Sequence, residues 1–366
     1  MFYHLLYPLN KYISFFRVFQ YISFRAAGAF VTALFIAFIF GPKIIKYLKK
    51  HNYTESISEY IPEHNSKAGT PSMGGVIIII GLFLSVLLWN DLLNSYIQIL
   101  ILAILWLGGL GFIDDYLKNV KNAKRGLIAK YKIYGQIVLG IFVAVVVYCS
   151  SSDKAVATSI SIPFFKNLHP SLSYFFFPFV IFVIVATSNA VNLTDGLDGL
   201  SSGCIAFSAL GLGIMAYLKG NFKTASYLNL EFLPNVGELT IFTTAIIGTI
   251  MGFLWFNTKP AAIFMGDTGS LSLGGILAIL SVLLKEEIFF AIVGGVFVIE
   301  ALSSLIQRYY FKYTRIKTGQ GQRVFLRAPL HHHFELKGWP EEKIVVRFWI
   351  IAALLLVIGL STIKLR

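Results

Sequence analysis

TSNAVNLTDGLDGLSSG, Thr187 to Gly203, decides how this chain is read. It joins two long apolar runs, Tyr174–Ala186 and Cys204–Leu218, and carries Asn189, Asn192, Asp195 and Asp198 but no Lys or Arg. An acid at the end of a membrane helix is costly unless a metal, a base or water meets it, so the default reading is a functional site. Asn189, Asn192 and Asp195 recur at three-residue steps, which predicts that they share one helical face. Asp195 and Asp198 have the same spacing, and Gly196 and Gly199 let the backbone turn or approach a ligand closely. The plainer alternative is a polar hairpin whose Asn and Asp serve only as caps. Four such residues with no cation among them are too many for a cap.

Composition sets the wider frame. Of 366 residues, 56% are hydrophobic and 13% charged, and the mean hydropathy is +0.72. A soluble domain carries roughly twice that charged fraction. Apolar runs of bilayer-spanning length recur at 24–48, 71–90, 93–116, 131–150, 174–192, 197–218, 237–256, 261–284, 288–312 and 343–363. The expectation is an all-α polytopic membrane protein of about ten transmembrane helices, since a barrel would show short alternating segments. The chain reads as one integral membrane domain over 1–366, with an aromatic interfacial arm at 1–23. An outward loop or hairpin spans 151–173, and a basic, His-bearing loop spans 313–340. No internal repeat and no cleavable leader is legible; Arg17 interrupts the first apolar stretch. Cys149 and Cys204 lie in or beside apolar runs, as buried thiols do.

The net charge of +13 raises nucleic acid as a partner, but no nucleic-acid motif accompanies it, and none is expected to bind. The basic residues instead collect in connections. Lys43, Lys46, Lys49, Lys50 and Lys67 lie between spans one and two. Lys118, Lys121, Lys124, Arg125, Lys130 and Lys132 lie between spans three and four. Arg308, Lys312, Arg315, Lys317, Arg323, Arg327 and Lys337 lie between spans nine and ten. These connections are expected to face the cytoplasm, with both termini outside, although Lys11, Arg17 and Arg25 argue the other way. Every acid-bearing interruption then falls on the cytoplasmic side, around one cleft.

Four further motifs carry chemistry. GFIDDYLKN, Gly111–Asn119, ends the third span with Asp114 and Asp115, which diverge by about 100° on a helix and need not serve one atom. A span end merely paired with Lys118 and Lys121 is the plainer reading. FNTKPAAIFMGDTGS, Phe256–Ser270, offers Asn257, Lys259 and Asp267, the last followed by small polar residues suited to phosphate or metal, or simply to a helix cap. KAGTPSMGG, Lys67–Gly75, offers Lys67, Thr70 and Ser72 without a Walker pattern. RAPLHHHFELKGW, Arg327–Trp339, holds His331, His332 and His333, which cannot all share one helical face; beside Arg323 and Arg327 they suit a diphosphate or carboxylate. Oxygen ligands dominate and soft sulfur is absent, which favours Mg²⁺ or Mn²⁺. The residues alone point to metal-assisted phosphoryl transfer between a soluble anion and a lipid.

Taken together, KAGTPSMGG, GFIDDYLKN, NLTDGLDGL, FMGDTGS and APLHHHFE resemble the phospho-N-acetylmuramoyl-pentapeptide transferase family of the polyprenyl-phosphate N-acetylhexosamine-1-phosphate transferases. The aspartate motifs belong to the whole superfamily, the HHHFE loop to this branch. The resemblance implies a homodimer in the bacterial inner membrane and a Mg²⁺-dependent transfer from a UDP carrier to undecaprenyl phosphate, making lipid I and UMP. It implies that Asp267 holds the metal and that Asp114 and Asp115 act at the lipid phosphate. Lys67, Asn192, Asp195, Gly196, Leu197, Asp198 and Phe264 resemble nucleotide-side positions, and His331, His332 and His333 the essential histidines. Thr70, Ser72, Lys130, Asn189 and Asn257 complete the expected substrate-binding set. A phosphate's second pKa is about 6, so its nucleophile is largely ionised at neutral pH; losing Asp114 is expected to hurt less than losing Asp267.

Rival readings leave different marks. A sister transferase using UDP-N-acetylglucosamine would lack the HHHFE loop. A prenyltransferase would carry paired D-x-x-x-D, whereas Lys118 stands four after Asp114. A transporter would show repeats and midplane charges. Glu300 alone lies well inside a span, and it could equally be a helix–helix hydrogen bond.

Overall fold

The computed structural model describes residues 1–51, 53, 69–121, 126–151, 153–165 and 168–365. Lys67, Lys124 and Arg125 lie outside them. The described residues fold into a helical bundle: α1 (Ile22–Lys50), α2 (Gly75–Trp89), α3 (Ser95–Asn119), α4 (Ala129–Ser150), α5 (Phe176–Thr194), α6 (Leu200–Lys219), α7 (Glu238–Asn257), α8 (Gly266–Leu284), α9 (Glu287–Val293), α10 (Gly295–Thr318), α11 (Leu330–Leu336) and α12 (Glu341–Ser361). Among the described residues eight helices are long and apolar enough to cross a membrane, and counting the bent pair α9 and α10 as one span makes a ninth. Adding the shorter apolar α2 brings these to the ten expected positions.

The bundle is organised around α8. Every residue from Thr268 to Leu284 is buried, and α8 packs against α3, α5, α6 and α2. Its small residues Gly269, Ser270, Ser272, Gly274, Gly275, Ala278 and Ser281 let neighbouring backbones come close, as membrane interfaces require. The approach is tightest beside α3, where a Cβ on Gly111 would lie 2.4 Å from the Asp267 carbonyl oxygen. Residues three and four along a helix share a face. The same glycine that admits α8 therefore aims Asp114 and Asp115 at its N-terminus.

Three spans depart from expectation. The second, expected over 71–90, is helical only from Gly75 to Trp89, fifteen residues or about 22 Å, short of a bilayer core. Its leading residues run beside the approach to α8: Phe264 N donates to the Pro71 carbonyl (2.9 Å), while Gly74 N donates to that of Phe264 (2.8 Å) and Gly75 N to that of Met265 (2.7 Å). That pairing also delays the eighth span, expected from 261, to Gly266. The ninth breaks at Gly294, with α9 and α10 at 81° to one another. Beyond the break α10 buries few residues, chiefly Glu300, Ser303 and Thr314.

At the opposite end, Arg25 is only 3% exposed and forms a two-pronged pair with Glu238 at 3.0 and 2.5 Å. The N-terminal arm folds back onto α2, with the Phe2 and Phe19 rings 5.2 and 6.0 Å from that of Trp89. In the 151–173 segment, Ser159 and Ser171 form an antiparallel bridge.

Candidate active site

Where α3 ends and α8 begins, one oxygen from each of Asp114, Asp115 and Asp267 falls within 4.8 Å of the others. The two neighbours on α3 do different work. Asp115 accepts from Asp267 N (3.0 Å), Thr268 N (2.9 Å) and Thr268 Oγ1 (2.5 Å). It satisfies the first free N–H groups of α8 from another helix, with its charge set against the positive end of the helix dipole. Both its oxygens are thereby committed. Asp114, fully buried, accepts from Leu127 N at 2.6 Å and turns its other oxygen to Lys118 (2.5 Å) and Lys132 (2.9 Å).

Those two ammonium groups also reach Asp267, at 3.3 Å from Lys118 and 2.5 Å from Lys132. Asp114 and Asp267 thus already share cations, and an all-oxygen pair built to share charge fits a hard divalent ion. Asn192 fixes the remaining oxygen of Asp267 at 2.9 Å and is itself held by Ser270.

Through these three bonds Asp115 clamps the start of α8 against the end of α3. Asp115→Ala would strand two buried N–H groups and a hydroxyl, at a cost of about 3 kcal/mol or more. The expected result is a clearly lower unfolding midpoint in detergent; an unchanged midpoint would count against the clamp.

Of the expected helical face on α5, only Asn192 reaches the carboxylates. Asn189 donates to Gln136 (2.8 Å) and to the Val185 carbonyl (2.7 Å), toward α4. Asp195 lies just past the helix end, where the backbone leaves helical geometry. The turn that follows is gripped from two sides. Asp198 accepts from Ala261 N at 3.1 Å, and its own N–H donates to Glu341 at 2.9 Å. Asn257 accepts from Gly199 N at 3.0 Å, and Leu197 is buried beneath. Ser72 is also buried, Thr70 and Phe264 half-buried. Lys130 is exposed. Lys132, two residues on and so about 200° around the helix, meets the aspartates instead.

The three histidines form α11 and point apart, as their spacing predicts. His331 is buried, with its N–H donated to Glu300 Oε1 and its Nδ1 on Glu300 Oε2, both at 3.1 Å. Its Nε2 is buried with no hydrogen-bond partner among the described residues and faces Gly196, where a Cβ would lie 2.3 Å away. His332 Nδ1 meets Glu335 at 2.8 Å; burial, aided by the His331 ring, still holds its imidazole below the usual range. His333 Nδ1 accepts from Leu326 N at 3.1 Å. The residues that sequence reasoning passed over are Lys132, named only as a loop charge, and Glu300, left between two roles. Neither has a local motif; their partners come from distant helices.

Known proteins match this sequence across the chain. The model of glycosyl transferase family 4 matches residues 97–285, and the phospho-N-acetylmuramoyl-pentapeptide-transferase signature 1 matches residues 67–79. The phospho-N-acetylmuramoyl-pentapeptide-transferase of Desulforapulum autotrophicum is 50% identical over 368 residues, all of both chains. That of Chlorobium chlorochromatii is 49% identical over 350 residues, 96% of this chain and 95% of the relative. That of Thermodesulfovibrio yellowstonii is 47% identical over 367 residues, again all of both chains. Identity of this order over the full length, together with the signature, places the chain in the phospho-N-acetylmuramoyl-pentapeptide-transferase family.

Proposed function

We propose that the protein transfers phospho-N-acetylmuramoyl-pentapeptide from its UDP carrier to undecaprenyl phosphate, giving lipid I and UMP. Full-length identity of 47–50% to transferases of that name carries the reading. The geometry supplies a chemistry to match. A lipid phosphate oxygen bonds to the β-phosphorus of the donor while the bond to the bridging oxygen breaks and UMP leaves. One diphosphate is exchanged for another, so catalysis rests on placement and on neutralising charge. Lys118 and Lys132 provide cations at the carboxylates. Asn192 orients Asp267, and His331 faces the turn that carries Asp195 and Asp198.

Asp267, with Asp114 beside it, would hold Mg²⁺, which supplies neutralisation of the phosphates. Lys67, Asn192, the Asp195–Asp198 turn, Asn257 and Phe264 are read as the donor side, Asp114 as the acceptor side. The site is read as cytoplasmic, in an inner membrane, with both termini outside. The basic connections support this, and the objection from Arg25 weakens because Glu238 neutralises that charge within the protein. The family resemblance supports a homodimer.

The test is UMP release by purified full-length protein given the donor, undecaprenyl phosphate and Mg²⁺. Release that requires both the lipid and the metal, and stops with chelator, is expected. Release only with UDP-N-acetylglucosamine would move the protein to a sister activity, and silence with both donors would overturn the reading.

A further inference from the structure

Beside α11 the chain forms a second feature that the transfer chemistry leaves unused. Gln307, Arg308 and Phe311 of α10, together with Arg323, Leu326, Arg327, Ala328 and Leu336, line an open groove of about 530 Å³, a size that suits small-molecule ligands. The groove is built rather than accidental. Gln307 Oε1 accepts from Val324 N (3.1 Å) and Phe325 N (2.9 Å), and Thr314 Oγ1 accepts from Gln322 N (2.9 Å). These bonds lay the 322–325 loop along α10 and bring three guanidinium groups to one concavity. Among the described residues no carboxylate pairs with Arg308, Arg323 or Arg327. Three like charges kept together are unfavourable on their own, and Arg forks match carboxylates in two-pronged geometry.

We propose that this groove binds the carboxylates of the peptide carried by the donor. The inference rests on the transferase reading above. A five-residue peptide necessarily ends in a carboxylate and spans up to about 17 Å when extended, so part of the donor must lie well away from the reacting phosphates. Continuity with the site favours this occupant. Leu326, on the groove wall, donates its N–H to His333. His333 belongs to the same short helix as His331, which faces Gly196. The apolar wall of Phe311, Leu326 and Leu336 suits a peptide's aliphatic side chains. A lipid phosphate offers similar oxyanion chemistry, and the experiment separates the two.

The experiment uses full-length protein in nanodiscs of neutral lipid. It compares wild type with Arg308→Ala/Arg323→Ala/Arg327→Ala and with the matching triple Arg→Lys variant. Steady-state constants are measured with the pentapeptide donor and with the same donor carrying amidated peptide carboxylates. A charge-assisted hydrogen bond contributes about 1.5–3 kcal/mol, so loss of the arginines should raise KM for the pentapeptide donor by about tenfold to a hundredfold. KM for undecaprenyl phosphate and kcat should change little, and the Lys variant should fall between. Wild type should lose affinity for the amidated donor, and the Ala variant should no longer distinguish the two donors. An equal loss with both donors, a rise confined to the lipid substrate, or a defect that tracks added anionic lipid would each overturn the proposal. Wild type inactive with both donors would instead overturn the transferase reading beneath it.

Discussion

Asp267→Asn should reduce UMP release by about 10³-fold or more, the largest effect of any single polar substitution in this site. Asp267 is where the separate parts of the site converge. Its backbone N–H is held by Asp115, one oxygen accepts from Asn192, and the other receives both Lys118 and Lys132. An Asn of the same shape keeps the packing but removes the charge that a metal or an ammonium needs. Removing one preorganised electrostatic partner from a phosphate- or oxyanion-binding site costs about 10²–10³-fold, and loss of the metal's neutralisation adds to it. Asp114→Asn should cost less, because the acceptor phosphate is already ionised and needs little help from a base. Single-turnover rates for the two variants over a Mg²⁺ titration decide the matter. Asp267→Asn should also require far more Mg²⁺, and a larger loss for Asp114→Asn would reverse the assignment.

The second large effect is expected at Glu300, far from the aspartates in sequence and absent from every motif. A carboxylate only accepts hydrogen bonds, so the oxygen facing His331 Nδ1 requires a proton on that nitrogen. In the neutral ring, Nε2, the atom turned toward Gly196, is then left as the acceptor. Glu300→Gln can keep both contacts, accepting from the His331 N–H and donating to Nδ1, but it reverses the tautomer and makes Nε2 a donor. Turnover should fall about 10²-fold, within the range that proton-handling and orienting groups contribute. KM for the donor should move little, and the unfolding midpoint should stay near that of wild type. Equal falls in turnover and stability would mean that Glu300 only braces the helices, and wild-type turnover would remove His331 from the chemistry.

Much of this was legible in the chain. The ten apolar segments follow from length and hydropathy, because a membrane-spanning helix must satisfy its backbone internally and is written as a continuous run. Asp114, Asp115 and Asp267 stood out because acids at span ends need partners. Their partners did not stand out. Lys132 is one of six cations in its connection, and only the pairing of α4 with its neighbours selects it over Lys130. The adjacent pair Asp114 and Asp115 could be separated by angle but not by role, since the clamp depends on which residue faces the start of α8. The shortened second span was hidden because Pro71–Gly74 are as compatible with a span as with an extended segment. Its pairing with Phe264 and Met265 comes from nearly 200 residues downstream in sequence.

The Asp115 clamp has a consequence for traffic through the site. It makes the end of α3 and the start of α8 a single rigid wall, since parting them would expose three donors to a setting with little water. A water-borne donor and a membrane-borne acceptor must both reach this wall and both products must leave it, so the moving side of the doorway has to lie elsewhere. The elements beside it are connections rather than long helices: the turn after α5, and the arginine loop with its short histidine helix, both tied to the bundle largely through side-chain bonds. Turnover in this protein is thus expected to be timed by loops closing onto a fixed anvil of helices, and slow steps should be sought in their opening.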